Sequence, residues 1–434
     1  MSNRAISAEP VPLGSSPSEV ACMSGTGSEG KNIMSEHLPV IVVGAGPGGL
    51  ATAIALAHKN IPTLLLERST LPNEVGAGLQ MSPNASGLLQ KWGVWQMLDM
   101  QAVTPNRIRI QSGVSGNQLT EISTREISNR YGAPYMVVHR ADLQTALYQR
   151  ASQMDLIEIV DGCDMREVSE TEEYVALRCE LANGEQRLFR GSALIGADGV
   201  WSRIRSDYVG SGEAAYSGKT AWRTTLPIQM APPSIDCANV GLWLAPNAHL
   251  VHYPIVGGHM MNIVAIVKDD WKEEGWNVPG DPRWLNQRFA RWPREIRELL
   301  AEREDWLKWA LCGQNPNRPW TKGKVALIGD AAHAMLPFMA QGAAMALEDA
   351  AILARALNEL DGPMDVRLKA YEKARKARVC KVVAKARRNG DIYHLDGLMA
   401  TARNMTMRLM PKQRLLSQFD WIYRWTPESV TFDT

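Results

Sequence analysis

Residues 38–68 read LPVIVVGAGPGGLATAIALAHKNIPTLLLER and predict a strand, a glycine-rich turn, a helix and a second strand. The β-branched run 40–43 has the continuous apolar character of a strand that is buried in a parallel sheet. An alanine- and leucine-rich helix follows to about His58, and the apolar run 63–66 forms the next strand. This order is the start of a dinucleotide-binding α/β fold.

Three glycines and one carboxylate give this unit its chemistry. Gly44 permits the tight turn, Gly46 lets a pyrophosphate approach the backbone, and Gly49 lets the helix pack against the strand. The helix N-terminus supplies amide donors for phosphates. Glu67 ends the second strand, where it can accept hydrogen bonds from a ribose, and we assign its neighbour Arg68 to the same cofactor site. An acidic residue here favours FAD or NAD over NADP, and this unit alone leaves both open.

Composition limits the classes of protein that fit. The chain has 434 residues, enough for two to three domains, and 45% of them are apolar. Lys and Arg number 47 against 46 Asp and Glu, so the charge gives no reason to expect nucleic acid as a partner. No apolar run reaches the roughly 18 residues of a membrane span, which disfavours membrane contact. Residues 1–36 are rich in Ser, Gly, Pro and Glu, so we expect a disordered tail or sequence upstream of an alternative start at Met34. They lack the features of a signal peptide, and we expect a cytoplasmic protein.

Two further motifs follow apolar strands. Residues 194–205 read LIGADGVWSRIR, and residues 325–349 read VALIGDAAHAMLPFMAQGAAMALED. Asp198 and Asp330 each come after a predicted strand, and both are assigned to the cofactor site. At a strand end, Asp330 can hold a ribityl or ribose hydroxyl. The helix that starts near Gly342 and Ala343 can bring backbone amides and a helix dipole against an electron-rich ring.

In this order, the three motifs resemble those of the flavoprotein aromatic hydroxylases, the single-component FAD monooxygenases of the para-hydroxybenzoate hydroxylase type. The resemblance covers roughly residues 38–375 and extends to Arg140, which matches the arginine of an HRxxL element that reaches the FAD. Ala340 and Ala344 stand where the wider family has Gly and often Asn. Both are shared with a subgroup of 3-hydroxybenzoate 6-hydroxylases, 6-hydroxynicotinate 3-monooxygenases and salicylate hydroxylase-like proteins. The resemblance implies FAD as the cofactor, O2, and NADH or NADPH as a transient co-substrate, with NADH favoured.

Residues 248–255, AHLVHYPI, contain the candidates for a catalytic base. Alternation along a strand places His249 and Tyr253 on one face and His252 on the other. A histidine suits the removal of a phenolic proton near neutral pH. The subgroup has a functional His-x-x-x-Tyr pair at the matching place, so the resemblance implies that His249 and Tyr253 are catalytic. The alternative for a strand histidine is a structural role.

Two residues are assigned to the substrate pocket. Pro337 stands where the 3-hydroxybenzoate hydroxylases tend to have a glutamine donor, and it resembles the salicylate and 6-hydroxynicotinate enzymes. Arg223 is a candidate partner for a substrate carboxylate, with a structural role at a domain interface as the alternative. The basic run 367–388 is expected to be a solvated helix face, with a dimer contact or an NADH-docking patch as alternatives. The sequence contains no spacing that predicts a metal site.

The predicted fold class is α/β, a Rossmann-type FAD-binding domain interrupted by a mixed-sheet substrate domain. The boundaries that we predict are 37–106, 136–214 and 318–380 for the FAD domain, 107–135 and 215–317 for the substrate domain, and 381–434 for a C-terminal helical segment.

The resemblance implies hydroxylation of a small phenolic or hydroxy-heteroaromatic acid through a flavin C4a-hydroperoxide. A salicylate-like acid comes first, and its hydroxylation would release carbon dioxide. Four alternatives stay open: 6-hydroxynicotinate, 3-hydroxybenzoate, a larger secondary metabolite, or a flavin-binding protein without turnover. A homodimer is an open option.

Overall fold

The computed structural model describes residues 38–71, 78–98, 100–273, 275 and 277–432. The predicted tail, residues 1–36, lies outside them. The strands are β1 (Val40–Val43), β2 (Thr63–Leu66), β3 (Gly78–Met81), β4 (Arg107–Ser112), β5 (Gln118–Ser123), β6 (Met136–His139), β7 (Ile157–Val160), β8 (Cys163–Glu170), β9 (Val175–Leu181), β10 (Gln186–Gly191), β11 (Ala193–Gly196), β12 (Ala215–Pro227), β13 (Val240–Ala245), β14 (Ala248–Ile255), β15 (Met260–Lys268), β16 (Asn277–Gly280), β17 (Trp306–Gly313), β18 (Thr321–Lys322) and β19 (Val325–Leu327).

The α-helices of the same residues are α1 (Pro47–Ala57), α2 (Pro83–Lys91), α3 (Thr124–Tyr131), α4 (Arg140–Ser152), α5 (Pro282–Arg288), α6 (Arg294–Ala301), α7 (Asp330–His333), α8 (Gly342–Glu359), α9 (Met364–Tyr393), α10 (Gly397–Leu409), α11 (Lys412–Ser417) and α12 (Asp420–Tyr423).

One sheet has six strands in the order β18-β19-β11-β1-β2-β7. Strands β19, β11, β1, β2 and β7 are parallel, and the short β18 pairs antiparallel to β19. Every residue of β1 and β2 is buried, as expected for strands that are covered on both faces. The strand order reverses at β1, and such a switch point opens a crevice at the carboxyl ends of the strands.

A second sheet has eight strands in the order β16-β17-β12-β15-β14-β13-β4-β5. It is mixed, because β13 pairs parallel to β4 while the other neighbours are antiparallel. Its strands come from residues 107–123 and 215–313, on both sides of the parallel strand β11 in the sequence. The predicted α/β fold with a parallel and a mixed sheet is confirmed; the domain boundaries remain a prediction.

The expectation that the basic run forms a solvated helix face is wrong for one of its arginines. The basic run 367–388 lies in helix α9, but Arg375 is fully buried rather than solvated. Its guanidinium lies between the carboxylates of Glu348 and Asp349 on α8, at 2.7 Å from each. Charge density along the sequence could not show which arginine faces the neighbouring helix. In the described part of the chain, no helix is both long and apolar enough to cross a membrane.

Candidate active site

The three sequence motifs meet at one edge of the parallel sheet. They follow β1, β11 and β19, which are adjacent and parallel, so their carboxyl ends open into the same crevice. A cavity of ≈ 490 Å³ lies there, between this edge and one face of the mixed sheet. It is lined by cofactor candidates Gly46, Arg140, Asp198, Asp330, Gly342 and Ala343, and by pocket candidates Arg223, His249, Tyr253 and Pro337.

The glycine-rich turn is as tight as the motif predicts. Gly44 has φ +102°, and a Cβ there would lie 2.6 Å from the carbonyl oxygen of Ala197. A Cβ at Gly49 would overlap the carbonyl oxygen of Gly44, so only glycine allows this approach of α1 to β1. The first turn of α1, with Gly46 as its N-cap, faces the cavity and presents backbone amides to it.

Glu67 has a structural task beside its predicted one. Its carboxylate accepts hydrogen bonds from the backbone N–H of Ala45 at 2.7 Å and of Ser69 at 2.9 Å, so it holds the glycine-rich turn against the end of β2. A carboxylate has about four lone-pair sites, which leaves capacity for a ribose hydroxyl. Arg68 is exposed and does not line the cavity, and its cofactor role stays a prediction.

The second motif ties two loops together through Arg205. Its guanidinium is buried and donates to the carbonyl oxygens of Val200 at 2.7 Å and Ala331 at 3.1 Å, and so joins the loop after β11 to the loop after β19. Asp198 accepts from the N–H of Ile204 through Oδ2, whereas Oδ1 is buried and finds no partner among the described residues. Burial raises the pKa of Asp198. A hydroxyl of a bound group would satisfy that oxygen.

The third motif is held by a buried ionic cluster. His333 bonds through Nε2 to Asp349 Oδ2 at 2.6 Å, and the same oxygen accepts the N–H of Gly329 at 2.9 Å. Burial alone would raise the pKa of Asp349, but the charges of His333 and Arg375 outweigh it and hold that pKa below its usual range. The cluster therefore fixes the loop that presents Asp330, and His333 has a structural role.

The start of α8 forms the remaining part of the candidate cofactor site. Gly342, Ala343 and Ala346 line the cavity on its first turns. Gln341, the N-cap, is buried and donates to Ser82 Oγ at 2.8 Å. Ala340 has φ +50°, the left-handed region that favours the glycine of the wider family. Two helix N-termini, a glycine turn and the orphaned oxygen of Asp198 together fit FAD: the start of α1 would hold its pyrophosphate, and the start of α8 would hold its ring system.

His249 lies on the mixed-sheet wall of the cavity. It is buried, and its Nδ1 is 2.8 Å from Nε2 of His394, the C-cap residue directly after α9. Since Nδ1 is engaged, Nε2 is the nitrogen that remains for a ligand. Burial, followed by the charges of His394 and Lys219, holds the pKa of His249 well below its ordinary value, so the imidazole is neutral and can accept a proton.

Tyr253 lines the same cavity and lies four residues after His249 on β14, on the same face of the strand. It is buried, and burial raises its pKa above the ordinary tyrosine range, so it is a hydrogen-bond donor at neutral pH. Its ring packs so closely on Gly78 of β3 that a Cβ there would collide with it. Gln80 of the same strand accepts a hydrogen bond from the hydroxyl of Tyr135. His252 packs against Gly241 on the other face, as the alternation predicts.

Arg223 of β12 also lines the cavity, and its guanidinium lies over the ring of Trp309 at 4.8 Å. Burial lowers its pKa. Its Nε is buried with no hydrogen-bond partner, and no described Asp or Glu pairs with it. The residue is half-buried, and a cation partly removed from water without a counter-ion is suited to an anionic ligand.

Sequence reasoning missed three contributors. His394 meets His249 across 145 residues, Gln80 accepts from Tyr135, and Trp309 lies under Arg223. Strand alternation placed His249 and Tyr253, but each missed contact joins elements far apart in the chain, for which the sequence carries no local signal.

Comparisons with known proteins agree with this geometry. Residues 37–386 match the family described as FAD binding domain. A 3-hydroxybenzoate 6-hydroxylase of Aquipseudomonas alcaligenes is 33% identical over 89% of this chain and 98% of its own length. A 3-amino-4-hydroxybenzoate 2-monooxygenase of Streptomyces platensis is 32% identical over 88% and 95%. The crystal structure of Klebsiella pneumoniae HpxO with FAD and uric acid has a TM-score of 0.77 at 23% identity, covering 91% of this chain and 98% of that one.

The fold and cavity define a flavoprotein monooxygenase. The chain belongs to the FAD binding domain family and, with these relatives, to the FAD-dependent aromatic hydroxylases. The resemblance expected from the three motifs and the choice of FAD are confirmed. The catalytic roles of individual residues remain predictions.

Proposed function

We propose that this protein uses NADH or NADPH and O2 to hydroxylate a small aromatic carboxylic acid that has a phenolic hydroxyl. FAD, when bound, supplies hydride acceptance and oxygen activation. The protein supplies the rest: it binds the acid, orients its ring, excludes water and moves the phenolic proton.

Arg223 is the observation that carries this proposal. It lines the cavity as a half-buried arginine whose buried Nε has no hydrogen-bond partner and which has no carboxylate partner among the described residues, so a substrate carboxylate would supply the missing counter-ion. Trp309 beneath it limits how the guanidinium can turn. Arginine matches the planar fork of a carboxylate, which gives orientation as well as affinity.

The phenolic end of the substrate is assigned to His249 and Tyr253. A neutral His249 accepts the phenolic proton at Nε2, which makes the ring more nucleophilic toward the oxygen donor. Tyr253 stays protonated and donates a hydrogen bond to the substrate oxygen. Both side chains line the cavity that Arg223 also lines, so one small acid can reach all three.

Within this class, a salicylate-like acid is our first candidate. Pro337 lines the cavity and offers no hydrogen-bond donor at the flavin loop, which supports salicylate and decarboxylative hydroxylation to catechol. The relationship to a 3-hydroxybenzoate 6-hydroxylase, at 33% identity, supports 3-hydroxybenzoate as the second candidate. Both acids have the carboxylate and the phenol that the site requires.

The test is NADH oxidation by the FAD-loaded protein with a panel of hydroxybenzoates and hydroxypyridine acids, each compared with its carboxamide. We expect one acid to stimulate oxidation and gain oxygen, while its amide does neither. Loss of carbon dioxide with that gain would identify the salicylate reaction. If every acid yields only hydrogen peroxide, or if an amide is preferred, the small-acid proposal is wrong.

A further inference from the structure

A pair of hydrogen-bonded histidines connects the candidate active site to the end of the longest helix. His249 Nδ1 and His394 Nε2 are 2.8 Å apart, with ring centroids at 5.0 Å. One imidazole must donate and the other accept, so the protonation of the two rings is linked. For His249 to accept a proton at Nε2, its Nδ1 must hold hydrogen and donate it to His394.

His394 leads away from the cavity. His249 is buried, whereas His394 is partly exposed. The carbonyl oxygen of His394 accepts a hydrogen bond from the N–H of Asn247 at 3.2 Å. Asn247 and Arg288 line a second cavity of ≈ 650 Å³, which does not share lining residues with the first. The backbone of His394 is thus hydrogen-bonded to a residue that lines this second cavity, not the one that His249 lines.

We propose that His249 and His394 form a two-histidine relay that carries the phenolic proton out of the active site. This inference rests on the proposed function, in which His249 is the base. The substrate O–H bond breaks as its proton binds His249 Nε2. The proton on His249 Nδ1 passes to His394 Nε2, and the proton on His394 Nδ1 passes to water. The reverse sequence reprotonates the product phenolate and restores both starting tautomers.

The charges around His394 favour the neutral form of its imidazole. Among the described residues, Lys219 of β12, Arg288 of α5 and Arg403 of α10 are the cations whose charge acts on it, and burial, followed by these charges, lowers its pKa to about 4. Asp391 on its own helix is paired with Lys219 at 3.7 Å. The hydroxyl of Tyr393 is directed to the carbonyl of Phe338 at 3.4 Å. Neither imidazole is therefore held as a cation at neutral pH, and each can receive a proton and pass one on.

The test uses the FAD-loaded protein and 3-hydroxy-4-nitrobenzoate, whose phenolate absorbs visible light. The probe and the protein are mixed by stopped flow at a pH below the pKa of the free phenol. The rise of phenolate absorbance then gives the rate at which the protein forms the phenolate. We expect His394→Phe and His394→Gln each to slow phenolate formation by about tenfold or more. The solvent deuterium isotope effect on this rate should be larger in the parent than in either variant. Glutamine can still accept from His249 Nδ1, but it cannot pass a proton on.

The glutamine variant separates the relay from mere orientation of His249. If His394→Gln keeps the parent rate, His394 only positions the base and the relay is wrong. Tyr393→Phe is the matched control at the same helix end, and an equal slowing there would also contradict the relay. If His249→Gln abolishes phenolate formation while both His394 variants match the parent, the proposed function stands and the relay fails. If the parent neither binds nor ionises the probe, the proposed function fails and the relay with it.

Discussion

Arg375 donates from Nε to Oδ1 of Asp349 at 2.7 Å, and both side chains are fully buried. Asp349 also holds His333 and the N–H of Gly329, so this ion pair supports the loop that carries Asp330 into the cavity. A helix that follows the cofactor motifs in the sequence thus fixes their geometry.

We expect Asp349→Asn to lower the free energy of unfolding by about 3–5 kcal/mol, because it leaves Arg375 charged and buried with one fewer counter-ion. Urea unfolding measures it. Asp270→Asn is the control: Asp270 pairs with Lys272 on the surface, and its loss should cost within about 0.5 kcal/mol. Equal costs for the two variants would contradict the supporting role of the cluster.

We expect Gly49→Ala to weaken FAD binding by roughly tenfold to a hundredfold, since its Cβ would push α1 away from the turn at Gly44, a repacking cost of about 1–3 kcal/mol. Flavin fluorescence on titration measures the dissociation constant. Gly87→Ala in α2 is the matched control, because the nearest atom to its Cβ is 3.7 Å away. That variant should keep FAD affinity and gain about 0.5–1 kcal/mol of stability. Unchanged affinity in Gly49→Ala would contradict the tight-turn account.

We expect Arg223→Gln to raise the KM for the aromatic acid by about 30-fold or more, equivalent to about 2 kcal/mol, while FAD stays bound. The variant should also lose the preference of the parent for the acid over its carboxamide. Arg109→Gln is a control on the same sheet, since Arg109 pairs with Asp236 and does not line the cavity. A preference for the acid that survives in Arg223→Gln would exclude Arg223 as the carboxylate partner.

The burial of His252 leads us to expect a pH-dependent free energy of unfolding. Burial lowers its pKa to about 4, below the 6.5 of an unfolded histidine, so the unfolded state binds more protons between these values. Stability is therefore lost as the pH falls from 6.5 toward 4, and His252 contributes nothing to the slope above 6.5. From pH 7 to pH 5, the parent should lose about 2 kcal/mol more than His252→Gln. Urea unfolding at the two pH values measures this, with the exposed His259→Gln as control. Equal losses in the parent and His252→Gln would show that His252 is not buried in its neutral form.

The sequence predicted the parallel sheet and the glycine turn because each depends on residues close together in the chain, and it predicted FAD through the family resemblance of three motifs that are each local. Gly44 and Gly49 are required by local sterics, and the alternation of β14 separates His249 from His252. The burial of Arg375 and the contact of His249 with His394 depend on how α9 packs across the sheets. No local pattern encodes that packing, so the structure was needed to find both.

We propose that this protein inserts oxygen into a small aromatic acid. The most direct measurement is the mass of the product formed by the FAD-loaded protein from NADH, the acid and 18O2. We predict a product that contains one 18O atom, formed by the parent and lost in His249→Ala. Oxidation of NADH with no labelled product from any hydroxybenzoate or hydroxypyridine acid would contradict the claim.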